Sequence, residues 1–484
     1  MTDFFKSYSF KFWLFAFAIF LTRLPFLSSG YGLDEDSWSV AMTAKDIAAT
    51  GQVEVSRFPG YPVQEFICSL FYNGYPFRLN LLTAVISTIG FLFFAMTLRV
   101  WKFKHIFLAA AALAFTRVVY INSTTTIDYL WALAFLLISL YYVARNKLFV
   151  AGIFLGVAVG CRITSGAMII PYSIMMMQTD GLKKNIVRIF KLAFPAVVVG
   201  CLLYLPIYLK YGWQFFSYYD IFYPSIFKVL YKFFAEVWGV IGLIGLITAI
   251  VFLFSSSKNK TRKYLFPRSI NEKYVIAWLI AIDIYIILFL RFPVESGYLI
   301  PIVPFTIFIF GKYLYDRAFK FFAITLILSS FIFSINPADR DDAATPSPVS
   351  FVMKAGGENL NFDVNGSIFT YESRRKNGLK FTDKILKSLD TLKSRSLIVA
   401  GIWYDQIALK RSEASVASFN TGLYGKPPVE FRYYITQDSL LYYIGKGYSI
   451  CYLPRQDINN LLIRKVNIAF YGAEPYVASE KLSR

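Results

Sequence analysis

A chain of 484 residues that is 56% hydrophobic and 19% aromatic, with a positive mean hydropathy, belongs by composition with membrane proteins. Its net charge of +20 does not point to nucleic acid, because the basic residues fall in short clusters between apolar runs, as cytoplasmic loops do. A single histidine, His105, excludes a His-rich metal site and a Ser-His-Asp triad, and the scattered Cys68, Cys161, Cys201 and Cys451 indicate neither a disulfide framework nor a zinc knuckle.

A membrane-spanning helix needs about 20 apolar residues. Eleven stretches are candidates, centred on 10–28, 79–98, 106–121, 127–143, 148–161, 164–178, 192–209, 234–254, 274–290, 299–312 and 320–335, of which the fifth and sixth are short enough to be a helical hairpin. With the N-terminus inside, the inner loops hold 18 Lys/Arg against three acids, Asp180, Glu272 and Asp316. The outer loop at about 29–78 reverses the balance, with Asp34, Glu35, Asp36, Asp46, Glu54 and Glu65 against Lys45, Arg57 and Arg78. This asymmetry sets the N-terminus in the cytoplasm and the acids outside. No small-residue cleavage site follows the first stretch, which therefore reads as a span and not a signal peptide. The compact loops favour a multi-pass protein of the cell (inner) membrane of a bacterium or archaeon.

The texture changes at about Asn336. Residues 1–335 form the membrane domain. "NPADRDDAATPSPVS" is a linker, and the rest of 336–484 reads as a small soluble α/β domain that eleven spans would place on the extracytoplasmic side. There "SLIVAGIW" and "YSICYL" suit buried strands, while "FTDKILKSLDTLKSR", "SLLYYIGKG" and "INNLLIRKV" have helical periodicity. No nucleotide-binding glycine motif occurs in it.

The first outer loop is long enough to carry function. "GYGLDEDSWSV" places Asp34, Glu35 and Asp36 just past the first span, and "SVAMTAKDIAATGQ" predicts an amphipathic surface helix stopped by Gly51. "SRFPGYPVQEF" is a rigid turn holding Arg57 and Tyr61. Charged residues in or beside apolar helices follow: Arg117, Asp128, Arg162, Arg291 and Glu295, all toward the outer side. Arg291 and Asp128 are also explained by snorkelling to the interface. Asp283, in "AIDIYIILF", lies mid-span with no evident partner. Carboxylates that take a proton and arginine forks that grip phosphate are what transfer from a lipid-phosphate sugar requires.

These segments resemble the GT-C membrane glycosyltransferases, the protein mannosyltransferase and aminoarabinose transferase branch in particular. The likeness lies in "GLDEDSWSVAMTAKDIAATGQVEVSRFPGYPV", "TTTIDYLWALAFLLISLYYVARNK", "GIFLGVAVGCRITSGAMIIPYSI" and "ESGYLIPIVPF", in that order. It implies Asp34 as catalytic base, Glu35 and Asp36 as its supports, Asp128 as the second acid and Arg162 as a cation near the lipid phosphate. Arg57 stands where many relatives have histidine, which implies a phosphate or acceptor contact. Gly297 precedes Tyr298 where relatives often have a base, so Arg291 or Arg117 would supply that charge. Metal use varies in the superfamily. A divalent ion here would be magnesium or manganese on Asp34, Asp36 or Asp128.

The expected function is transfer of a sugar from a polyprenyl-phosphate donor to an acceptor hydroxyl of protein, lipid or glycan on the outer face, with inversion. The donor-site candidates are Arg57, Tyr61, Arg117, Asp128, Arg162, Arg291, Glu295 and Tyr298. The alternative is a solute transporter or lipid-carrier flippase, which the absence of internal repeats disfavours.

Overall fold

The computed structural model describes residues 8–217, 223–255, 265–267, 270–338, 343–389, 395–413, 429–432 and 437–453. Its first two thirds are helical: α1 (Tyr8–Leu21), α2 (Glu35–Thr50), α3 (Pro62–Phe71), α4 (Pro76–Val100), α5 (Ile106–Phe115), α6 (Arg117–Asn122), α7 (Tyr129–Ala144), α8 (Leu148–Cys161), α9 (Ile169–Met176), α10 (Leu182–Tyr211), α11 (Ile226–Leu230), α12 (Val237–Ser255), α13 (Glu272–Arg291), α14 (Ile302–Tyr313) and α15 (Asp316–Leu328). Six segments among the described residues are long and apolar enough to cross a membrane: Ser9–Phe26, Pro76–Val100, Leu182–Phe216, Ile226–Phe254, Glu272–Arg291 and Ser296–Tyr313. The chain is an integral membrane protein.

These six coincide with six of the eleven expected stretches. Four of the remaining stretches form shorter apolar helices, Ile106–Phe115, Tyr129–Ala144, Leu148–Cys161 and Ile163–Met176. At 16 and 14 residues, α7 and α8 are about 21–24 Å long, short of a hydrocarbon core of about 30 Å. α7 is buried nearly all round by neighbouring helices. The stretch 106–121 is broken at Thr116, whose ψ of 133° ends α5 and begins α6. The stretch 320–335 stops as helix at Leu328 and enters a strand at Ile332.

Buried Arg23 fixes the exit of the first span. It donates to Ile19 O (3.0 Å), Ala114 O (2.5 Å) and Ser123 Oγ (3.2 Å), and stacks 4.3 Å from the Tyr120 ring. A guanidinium inside an apolar bundle needs these partners, and they set where the first loop begins.

Beyond α15, β1 (Ile332–Pro337), β2 (Ser350–Ala355) and β3 (Glu358–Asn365) form an antiparallel sheet in the order β1-β3-β2, with Ile335 opposite Phe362 and Val352 opposite Asn361. The expected linker from 336 therefore starts too early, because Asn336 and Pro337 still pair with β3. Then come α16 (Ser367–Leu389), β4 (Ser396–Val399), α17 (Tyr404–Glu413), β5 (Val429–Arg432), α18 (Gln437–Gly445) and β6 (Ser449–Tyr452). β4 is buried throughout and pairs in parallel with β5 and β6, so "SLIVAGIW" and "YSICYL" supply two strands of this sheet. "INNLLIRKV" lies outside the described residues.

Candidate active site

The first loop opens with α2, whose N-cap is Asp34 in extended conformation, with Glu35 and Asp36 in the first turn. Three acids at a helix start suit its positive dipole end. The helix stops where its sequence says it should: Gly51 takes a left-handed φ of 67°, and its N–H donates to Ile47 O at 2.8 Å. The large exposed apolar side chains of the loop are not on α2, however. They lie on α3 and just after it, at Phe66, Leu70, Phe71 and Tyr75, while α2 packs its Trp38 face inward.

Between these helices the turn at 56–61 is fastened by Glu65, which the sequence reading counted only as a loop acid. Its carboxylate accepts from Ser56 N (2.8 Å), Ser56 Oγ (2.6 Å) and Tyr61 N (3.0 Å) while almost fully buried. This aims Arg57 inward. Arg57 Nε donates to Tyr61 Oη at 2.8 Å, Nη1 pairs with Asp36, and Nη2 lies 3.4 Å from Asp128 Oδ1.

Asp128, at the N-cap of α7 and fully buried, is the centre of the group. Its other oxygen accepts from Arg162 Nη1. Arg162 follows α8, and its guanidinium packs against two rings that meet edge to face, 4.2 Å from the centroid of Tyr129 and 4.2 Å from that of Tyr298. Gly297 is explained by this packing, because a Cβ there would collide with the Tyr129 ring. The cation beside Tyr298 is thus Arg162, not Arg291 or Arg117. A cavity beside Arg162 is lined by Tyr129, Thr164, Ser165, Tyr285, Tyr298 and Pro301.

A second group adjoins the first. Arg117, buried at the start of α6, donates to Glu236 O, and Lys232 Nζ lies 3.7 Å from Glu236 Oε2. Glu295, half-buried just before the 3-10 turn Ser296–Leu299, feels Lys232, Asp34, Glu236 and Arg57. Burial first, and then Asp34 and Glu236, raise its pKa to about 8 against the opposing pull of Lys232. Native protein then holds this proton where unfolded chain, with an ordinary value of 4.5, has lost it. Stability is therefore expected to fall as pH rises from about 4.5 toward 8. Glu295→Gln is expected to flatten that fall, seen as a thermal midpoint that gains on wild type between pH 5 and pH 9; parallel curves for the two proteins would refute it.

Arg291 ends α13 exposed, and among the described residues no ion pair or hydrogen bond ties its side chain to these groups. Nor do Asp34, Asp36 and Asp128 form a cage for magnesium or manganese. Among the described residues no three His, Cys, Asp or Glu side chains stand together, and Asp36 and both Asp128 oxygens face arginine.

The C-terminal region reaches this site. Arg375 of α16, almost fully buried, donates to Phe26 O (3.0 Å), Thr124 O (3.3 Å) and Gly30 O, and Leu33 N donates to Tyr371 Oη at 3.3 Å. Ser39 of α2 bonds to Asp405 of α17. The loop that carries Asp34 is therefore held from both sides: Asn80 of α4 donates to Leu27 O (2.7 Å) and Gly30 O (2.9 Å) from below.

Among solved structures, that of ArnT from Cupriavidus metallidurans in the apo state aligns over 97% of this chain and 96% of that one, with a TM-score of 0.54 and 11% identity. The chain has the ArnT fold. A second structure of the same protein, bound to undecaprenyl phosphate, aligns more weakly over 92% of this chain and 93% of that one, at a TM-score of 0.48 and 11% identity. No family model and no curated protein matches the chain. The likeness is one of fold, and at that level it agrees with the resemblance to membrane glycosyltransferases of the aminoarabinose transferase branch.

Sequence reasoning missed Glu65, Tyr129, Lys232, Glu236, Tyr371 and Arg375. One signal was available. Lys232 and Glu236 stand four apart in the otherwise apolar "LYKFFAEVWG", a charge pair that such a segment carries only for a partner or a site.

Proposed function

We propose that this chain is a glycosyltransferase that moves a sugar from a polyprenyl-phosphate donor to an acceptor hydroxyl on the outer face of the cell membrane, with inversion at the anomeric carbon. The observation that carries the reading is the pair of arginines, Arg57 and Arg162, oriented by one buried aspartate next to an acidic helix start. Fork-shaped guanidinium groups fixed in this way suit a phosphate leaving group.

In this mechanism Asp34 takes the proton from the acceptor hydroxyl as its oxygen attacks the anomeric carbon. The bond from that carbon to the phosphate oxygen breaks on the opposite face. Arg57 and Arg162 stabilise the charge that develops on the departing lipid phosphate. Tyr61 and Asp36 hold Arg57; Tyr129, Tyr298 and Asp128 hold Arg162. Glu35, Glu295 and Arg117 line the acceptor side in this reading, and the acceptor is a hydroxyl of protein, lipid or glycan. No step is routed through a metal ion.

The test is transfer from a panel of polyprenyl-phosphate sugars by purified wild type and Asp34→Asn. Wild type is expected to transfer or slowly hydrolyse one donor, and Asp34→Asn to lose at least about 100-fold, the usual worth of a positioned base. Near-normal turnover in the variant would move the base elsewhere, and a wild type silent across the panel with gradient-driven lipid movement would favour a flippase.

A further inference from the structure

Helix α13 carries a charge that the active site does not use. Between the charged and exposed ends Glu272 and Arg291, the exposed residues are Ile276, Leu279, Asp283, Ile287 and Leu290, spaced three or four apart on one face, while Val275, Ala277, Trp278, Ala281, Tyr285 and Phe289 are buried on the other. Asp283 is thus the middle member of an outward stripe that is apolar between its charged ends. It lies eight residues before Arg291 and eleven after Glu272, or about 12 Å and 17 Å along the axis, which sets it near the centre of the span.

A carboxylate facing hydrocarbon at that depth is costly, and intramembrane acids pair with a partner or face a cavity. Snorkelling does not serve a side chain as short as aspartate so far from either end. The inward face of α13 lines the cavity through Tyr285, so the outward face is a separate surface.

We propose that this stripe docks a transmembrane helix of another protein, one that presents a lysine or arginine at mid-membrane depth to Asp283. Charge complementarity selects the occupant: an apolar helix alone would gain nothing from the aspartate, whereas a basic residue in the same stripe removes the cost on both sides. Ile276, Leu279, Ile287 and Leu290 supply the flanking packing surface at helical spacing.

The test uses the full chain in lipid nanodiscs with a synthetic transmembrane helix of leucine and alanine carrying one central lysine, and a control with leucine in that place. Association is read by energy transfer between labelled peptide and protein. The lysine helix is expected to associate several-fold more than the leucine control, and Asp283→Leu to abolish the difference while leaving sugar transfer and the thermal midpoint unchanged. Equal association of the lysine helix with wild type and Asp283→Leu would overturn the proposal, as would none with either. Self-association of wild type that vanishes in Asp283→Leu would overturn it in favour of a second copy of this chain.

Discussion

Asp128→Ala is expected to lower stability by about 3–5 kcal/mol, the cost of removing one partner from a buried ion pair, and to leave no measurable transfer. Asp128 is fully buried and faces Arg57 and Arg162 at once. Its loss leaves two guanidinium groups in a largely desolvated pocket, repelling each other without the anion that separates them. Asp128→Asn keeps the shape and an acceptor oxygen but not the charge, so it is expected to fold better than the alanine variant while binding donor poorly. The prediction is read from thermal midpoints together with donor dependence. If Asp128→Asn matched wild type in donor KM, Asp128 would not be orienting the arginines for the phosphate.

The second large effect is expected far away in sequence. Arg375→Ala removes the donor to three carbonyls, Phe26 O, Gly30 O and Thr124 O, that belong to segments on either side of the acidic helix. Gly30 O keeps its bond from Asn80, and each of the other two carbonyls left unpaired costs about 1–3 kcal/mol, less whatever water recovers by entering the gap. The loop that bears Asp34 then loses its upper support, although Asn80 still holds it from α4. Activity is expected to fall mainly in kcat, with donor KM little changed, because Glu65 fastens the turn of Arg57 and Asp128 holds both arginines, and Arg375 touches neither. Arg375→Lys should not rescue it, since a single ammonium cannot span three carbonyls as a guanidinium does. A rise in donor KM at unchanged kcat would show instead that α16 serves the phosphate site.

Much of the site is legible in the sequence because charge inside apolar sequence is rare. Asp128 and Arg162 declared themselves by standing beside hydrophobic runs, and the two touch in the structure. Arg57 was legible from its turn of prolines and glycine. The turn's fastening was not, because Glu65 looks like any loop acid until its three bonds are seen. Helices α5 to α9 show where hydropathy alone is ambiguous. Hydropathy cannot tell a side chain buried against lipid from one buried against protein, and these shorter helices are where the two readings diverge.

Gly297 shows the division most plainly. In the sequence it is a departure from the expected base before Tyr298; in the fold it is the gap through which the Tyr129 ring reaches Arg162. By itself the sequence determined the membrane class, the expected side of the acids and most of the residues that could carry chemistry, because these depend on composition and local order along the chain. The tertiary structure alone decided which arginine meets which aspartate, and that a helix more than 300 residues downstream fastens the acidic loop. Such pairings are made by contacts between distant segments, where one Arg among 50 basic residues is chosen by packing and burial, which no local pattern encodes.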